Sequence, residues 1–215
     1  MAIKLREIIQ VSERNPNHPK KGSSIKVEPI RKKSAIERIK ASLLHGEKYR
    51  DHCLFTLGIN TGFRANEILS ITLDQVLELE VGDTLELKQS KNGKHRRVTI
   101  NKTAHQALRL YLEKDRGLMT HAAESAKIPL FYSQRGNVLT VPTVTGMVKS
   151  WCDGAGLKGN YGSHTMRKTW GWWQYKQGRP LPLLMVAFGH STQQQTLDYL
   201  CIQAKEIEEI YGLEL

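Results

Sequence analysis

Four residues near the C-terminus have side chains that could bind an anion, move a proton and attack as a nucleophile. His164 and Arg167 lie three positions apart, His190 follows Gly189, and Tyr199 comes nine positions after His190. An arginine fork matches two oxygens of an anion and keeps its charge at any working pH. An imidazole titrates near neutrality and can carry a proton. A phenol oxygen can attack and hold a covalent intermediate. Taken singly, each residue also has a plain structural role. His164 could be a second helix cap, His190 a partner of a helix C-terminus, and Tyr199, near Leu197 and Leu200, a half-buried core residue.

The elements that must position these groups follow from the surrounding pattern. Ser163 reads as an N-cap, so a helix is expected from about His164 to Gln177. On it His164, Arg167, Lys168, Gly171 and Tyr175 share one face, while Met166, Trp170 and Trp173 fall on an apolar one. The expectation is a helix held by its apolar stripe, with His164 and Arg167 projecting from the exposed side. Pro180 and Pro182 start a short helix whose apolar body is Leu183, Leu184, Val186 and Ala187, ended by Gly189-His190. A third helix carries Tyr199. The cluster of Trp170, Trp172 and Trp173 reads as packing. No carboxylate or cysteine stands at ligand spacing to the two histidines, so no metal is expected.

His164-x-x-Arg167, Gly189-His190 and Tyr199, in this order and spacing, resemble the C-terminal motifs of the tyrosine recombinase (phage integrase) family. The likeness covers roughly Ser34 to Tyr211. It matches the family's first arginine to Arg64 in TGFRANEI and its hairpin lysine to Lys91 in KQSKNGKHRR, with Lys94 as the fallback. The resemblance implies a mainly α-helical catalytic domain with a small antiparallel β-sheet, an α+β fold. It implies a site-specific DNA recombinase, encoded by a phage or mobile element, that cleaves and rejoins double-stranded DNA through a 3′-phosphotyrosyl link. The implied catalytic set is Arg64, Lys91, His164, Arg167, His190 and Tyr199, with no cofactor and no metal. The implied assembly is a homotetramer on DNA, joined through the segment after Tyr199, with accessory DNA-bending proteins as further partners. A bacterial cytoplasmic, nucleoid-associated location belongs to the same expectation. Two alternatives stay open: a DNA-binding regulator on this fold that does not recombine, and a relaxing enzyme of the type IB topoisomerase kind.

The chemistry suits the residues. Attack on phosphorus puts charge on the non-bridging oxygens, which two arginines can clamp from two sides. His164 and His190 can donate to the same oxygens, and His164 is the better candidate to take the tyrosine proton. A lysine, with a proton to lose, suits the leaving sugar hydroxyl. The tyrosyl ester conserves the bond energy, so rejoining needs no ATP.

The rest of the chain frames this site. The 215 residues carry a formal net charge of +11, which favours a polyanionic partner but also leaves a basic peripheral membrane protein open. No run of eighteen apolar residues exists, so no membrane span is expected. Three widely spaced cysteines suggest neither a disulfide framework nor a zinc site. Residues 1–33 read as a basic N-terminal arm or linker, lying along DNA or solvated, and residues 34–215 as the catalytic domain. Thirty-three residues cannot hold the separate DNA-clamping domain of most family members, so the chain resembles the short members or a catalytic piece. Two further departures are Phe188 in place of the usual leucine and Lys168 in place of a common histidine.

A helix is expected from Ser34, with Glu37 completing a capping box and Ile36, Ile39, Leu43 and Leu44 buried. A second should run from about Glu47 to Gly62. Arg64 follows, and Glu67 could hold its guanidinium, although an exposed arginine at a helix start is the plainer local reading. Three strand-like runs come next, at Ile71 to Glu80, Thr84 to Gln89 and Arg96 to Ile100, with an Asn-Gly hairpin tip between the last two. Lys91, Lys94, Arg96 and Arg97 read together as a basic finger over a phosphate backbone, and Lys168 as a further DNA contact. Helices are expected over Thr103 to Lys114, from Pro142 through Trp151, and over Ala204 to Tyr211, with a short strand at Leu130 to Tyr132.

Overall fold

The computed structural model of the chain describes residues 26–88, 95–115, 118, 127–133, 136–202 and 211. The hairpin tip with Lys91 and Lys94, the first 25 residues and the expected helix over Ala204 to Tyr211 lie outside them, apart from Tyr211.

Helix α1 runs over Lys33–His45 and α2 over Tyr49–Thr61. The first begins just ahead of the expected capping box, with Lys32 in the cap position and no side-chain cap bond. Its buried stripe is Ala35, Ile39 and Leu43, whereas Leu44 is exposed. Helix α2 buries Leu54, Phe55 and Leu57 and ends at Gly62, whose φ of 61° is the left-handed turn a glycine accepts. The short α3 covers Ala65–Leu69. Helix α4, Lys102–Lys114, buries Ala104, Ala107, Leu108, Tyr111 and Leu112 as its periodicity requires. Helix α5, Val141–Gly154, starts with Pro142 in its first turn and buries Val144, Val148 and Cys152. These elements enclose one large apolar core.

The sheet has two antiparallel strands, β1 over Thr84–Lys88 and β2 over His95–Thr99. The expected strand over Ile71 to Glu80 does not form. That stretch makes a 3-10 turn at Leu73–Gln75, and Arg109 of α4 donates to the carbonyls of Val76, Leu77 and Leu79. Those carbonyls are therefore spent on a guanidinium rather than a ladder. Leu130 to Tyr132 likewise forms no strand among the described residues; Tyr132 makes an isolated bridge to Val138, and Pro129, just ahead, one to Thr72.

Toward the C-terminus the described residues add three helices: α6 over Ser163–Lys176, α7 over Leu181–Phe188 and α8 over Gln193–Leu200. The cap of α6 is Gly162 rather than Ser163, and the Thr165 hydroxyl accepts from the Gly162 amide at 3.0 Å. Helices α7 and α8 share a second, small core of Leu184, Phe188 and Leu200. Leu183 and Val186, expected as part of the apolar body of α7, point outward at 63% and 74% exposure. Residues 27–31 of the expected arm pack against this C-terminal unit. Ile30 is fully buried, its amide donates to Thr169 at 2.8 Å, and its carbonyl accepts from the Trp173 indole at 3.1 Å.

Candidate active site

The site is assembled where α2, α6, α7 and α8 meet. Two helices aim their C-terminal carbonyls at it. Gly62 closes α2 in the left-handed region, and Gly189 closes α7 with φ of 68°. Helix C-termini carry partial negative charge, so cations are favoured there. Arg167 donates from Nη1 to the Gly62 carbonyl at 2.5 Å and from Nη2 to the Phe188 carbonyl at 2.9 Å. Arg64 approaches the same Phe188 carbonyl from Nη2 at 3.4 Å. One acceptor thus fixes the spacing of two guanidiniums.

Glu67, on α3, holds Arg64, although the plainer local reading was an exposed arginine at a helix start. Oε1 accepts from Arg64 Nη1 at 3.0 Å and Oε2 from the Arg64 amide at 2.6 Å. Glu67 is buried, which makes both bonds stronger than on a surface.

The face of α6 expected to be exposed is mostly covered. Arg167 is 2% exposed and Lys168 6%. In isolation that face would meet water; here α7 and α8 lie over it, with Phe188 and Leu200 against Gly171. Arg167 sits 4.8 Å over the Phe188 ring. Lys168 lies 4.8 Å over the Tyr199 ring, with Nζ 3.4 Å from Cys201 Sγ. Its placement is next to the phenol rather than on an open surface.

Tyr199 is docked inside the cluster. Its hydroxyl is 3.5 Å from His164 Nδ1, and its ring centroid is 5.1 Å from both His190 and Phe188. His190 Nδ1 is 3.0 Å from the Thr196 hydroxyl, and that hydroxyl is 3.4 Å from the Thr192 carbonyl. When Thr196 donates along the shorter contact, neutral His190 carries its proton on Nε2 and remains a donor for an anion. Thr196, fully buried, is a residue that sequence reasoning missed, since nothing in the spacing from His190 marks it.

Arg64, His164, Arg167, His190 and Tyr199 therefore come together; Lys91 lies outside the described residues. Of the expected basic finger, Arg97 is on the open face, near Glu86. Arg96 is not: its side chain is 9% exposed and its Nη2 donates to the Gly62 carbonyl at 3.0 Å. The cause is strand alternation. Arg96 pairs with Leu87 and Val98 with Leu85, and Leu85 and Leu87 face the core.

Charge and burial set the titration behaviour. Burial pulls Arg167 down to about 9, helped by its neighbours Arg96 and Arg64, and it stays charged at neutral pH. Burial also lowers His164, with Lys168, Arg167 and Arg64 adding to the effect. His190 is lowered by burial, then by Arg167 and Arg64. Both imidazoles are thus neutral near pH 7, the form in which His164 can accept a proton. Burial raises Tyr199, against the pull of Arg167, Arg64 and Arg96. The phenol keeps its proton until a base takes it. Among the described residues no group of histidine, cysteine and carboxylate side chains could hold a metal ion.

Residues 30–206 match the family described as the phage integrase family. The probable integrase/recombinase YoeC of Bacillus subtilis (strain 168) is 28% identical over 187 residues, which are 86% of this chain and 95% of that protein. Tyrosine recombinase XerD of Corynebacterium glutamicum is 28% identical over 162 residues, 75% of this chain and 51% of that protein. This chain spans about half the length of the Xer-type relatives it matches. Among solved structures, XerA recombinase superposes with a TM-score of 0.69 at 18% identity, over 86% of this chain and 65% of that one. The XerH recombinase bound to its palindromic difH substrate after cleavage gives 0.66 at 22% identity, over 88% and 54%. These likenesses show the fold, mainly helical with a two-stranded sheet.

Proposed function

Because this chain belongs to the phage integrase family, we propose that it is a site-specific DNA recombinase that cuts and rejoins strands through a tyrosyl phosphodiester. Tyr199 attacks the scissile phosphorus, and a bond forms between its oxygen and the 3′-phosphate. The bond to the neighbouring sugar oxygen breaks, and that oxygen leaves as a hydroxyl once protonated. Lys91 is the proposed donor of that proton. His164 takes the phenol proton. Arg64 and Arg167 bind the non-bridging oxygens, with His190 donating to them from Nε2. Rejoining is the same path reversed, with a sugar hydroxyl as nucleophile and Tyr199 as leaving group.

The observation that carries this reading is the packing of the Tyr199 hydroxyl beside His164, next to two guanidiniums that share the Phe188 carbonyl. A tyrosine placed only for stability needs neither. The partner is double-stranded DNA, in line with the net charge of +11. The working assembly is a homotetramer on DNA, joined through the segment after α8, and accessory DNA-bending proteins complete it. The exposed Leu183 and Val186 beside the site give a neighbouring subunit apolar surface to cover. Among the described residues no helix is long and apolar enough to cross a membrane, and the site of action is the bacterial nucleoid. The basic arm expected over residues 1–33 is shorter in this reading: residues ahead of 27 act as the arm, and the stretch from Val27 on, which packs against α6 through Ile30, belongs with the catalytic domain.

The test is a covalent trap. DNA that the protein selects from a random pool is rebuilt as a nicked suicide duplex, so that cleavage releases a short strand and leaves the adduct stranded. Wild type should give a detergent-resistant protein–DNA adduct and Tyr199→Phe none. Reversible complexes from both would mean a DNA-binding regulator. Relaxation of supercoiled plasmid without a selected site would mean a topoisomerase.

A further inference from the structure

Arg96 lies among the proposed phosphate-binding arginines, yet the proposed chemistry assigns it nothing. Its side chain is 9% exposed and stacks 5.3 Å over the Phe63 ring. The Gly62 carbonyl accepts from Arg96 Nη2 at 3.0 Å as well as from Arg167 Nη1. Arg96 Nη1 lies 3.5 Å from Glu67 Oε2, and Glu67 is the carboxylate that holds Arg64. That Nη1 is buried and makes no hydrogen bond among the described residues. Three guanidiniums therefore face one carboxylate and two helix-end carbonyls.

We propose that Arg96 is a positioning residue for the two phosphate-binding arginines. It acts through the Gly62 carbonyl shared with Arg167 and the Glu67 carboxylate shared with Arg64. The inference rests on the recombinase reading above and adds a residue to it. A planar fork on a rigid strand can hold two acceptors at fixed separation, whereas a lysine ammonium on a flexible stem cannot. With Arg96 removed, the carbonyl and the carboxylate lose a shared neighbour, and each catalytic arginine can tilt about its remaining contacts. The burial of the Arg96 side chain, stacked on Phe63, argues against a direct contact with the DNA backbone, which needs an accessible cation.

Arg96→Met and Arg96→Lys in the full chain test this on the selected duplex. A positioning role lowers the single-turnover adduct rate about 10- to 100-fold at saturating protein, in keeping with the cost of small misplacements at a reaction centre. The Kd and its salt dependence stay at wild-type values. Arg96→Lys does not rescue the rate, and combined with Arg167→Lys it loses less than the product of the two single losses. A backbone contact would instead weaken binding, flatten the salt slope by about one and leave the saturated rate intact, which overturns the inference. Unchanged rate and binding, or fully multiplicative losses, overturn it too. Thermal melts establish that each variant is folded, and if Arg96→Met is not, Arg96→Lys decides. Absence of any adduct from wild type overturns the recombinase reading and this inference with it. An adduct from wild type that both variants equal in rate overturns the inference alone.

Discussion

Gly171→Ala sets two effects against each other that the structure lets us weigh. Inside a helix, alanine is favoured over glycine by about 1 kcal/mol. At Gly171, however, an added Cβ would lie 2.2 Å from Phe188 Cζ, 2.8 Å from Cε2 and 2.9 Å from Leu200 Cδ2. Carbon contacts settle near 3.5 Å, so the neighbours must retreat by about 1 Å. Phe188 cannot simply turn aside, because it packs on Trp170, His190 and Tyr199. Overpacking of this kind costs about 1–3 kcal/mol, so the net change in stability is a loss of roughly 0–2 kcal/mol. The loss of activity should be larger. Phe188 supplies the carbonyl that spaces Arg64 and Arg167, and Leu200 is next to Tyr199. A displacement of about 1 Å at such a centre costs on the order of 100-fold in rate. The assay is single-turnover adduct formation on the suicide duplex, paired with a thermal melt. Gly146→Ala is the control, since nothing lies within 4 Å of its Cβ position on α5. It should stabilise the protein and leave cleavage unchanged. Wild-type cleavage by Gly171→Ala would refute the premise that α7 and α8 work in the docked position seen here.

Arg167→Lys should lower the adduct rate about 10²- to 10³-fold, measured at saturating protein, because an ammonium cannot bridge the Gly62 and Phe188 carbonyls while facing a phosphate. The rate should hold its plateau to below the ordinary histidine value near 6.5 and fall only at more acid pH, because His164 is lowered; a fall beginning above about pH 7 would count against His164 as the base. Stability should also depend on His52, which burial and Lys40 hold below its ordinary value. The unfolded chain then binds more protons than the folded one, so stability is lost as pH drops through about 6.5. Melts between about pH 5.5 and 7.5 should show a shallower pH dependence in His52→Gln than in wild type, and an identical slope would count against it.

The sequence by itself determined the periodic helices and singled out the side chains proposed to react. The stripe of α4 was legible because its apolar positions recur at helical spacing, and Gly62 and Gly189 were legible as stops because few other residues accept a left-handed turn. The link from Glu67 to Arg64 was allowed by an interval of three, but local pattern favoured an exposed arginine and only the fold decided for the link. Even Arg96 was open to reading, since Val98 and Ile100 alternate with it and its partner strand turns Leu85 and Leu87 inward. Ile71 to Glu80 misled because Arg109, some thirty residues on, takes its carbonyls. Only the tertiary structure decided which face of α6 is wet. Helical period ranks faces by polarity, but the cover over Arg167 and Lys168 comes from α7 and α8, and local pattern carries no record of contacts made across the fold. The shared carbonyls of Gly62 and Phe188 are likewise invisible in a sequence, because every residue has a carbonyl and only the folded backbone decides where it points.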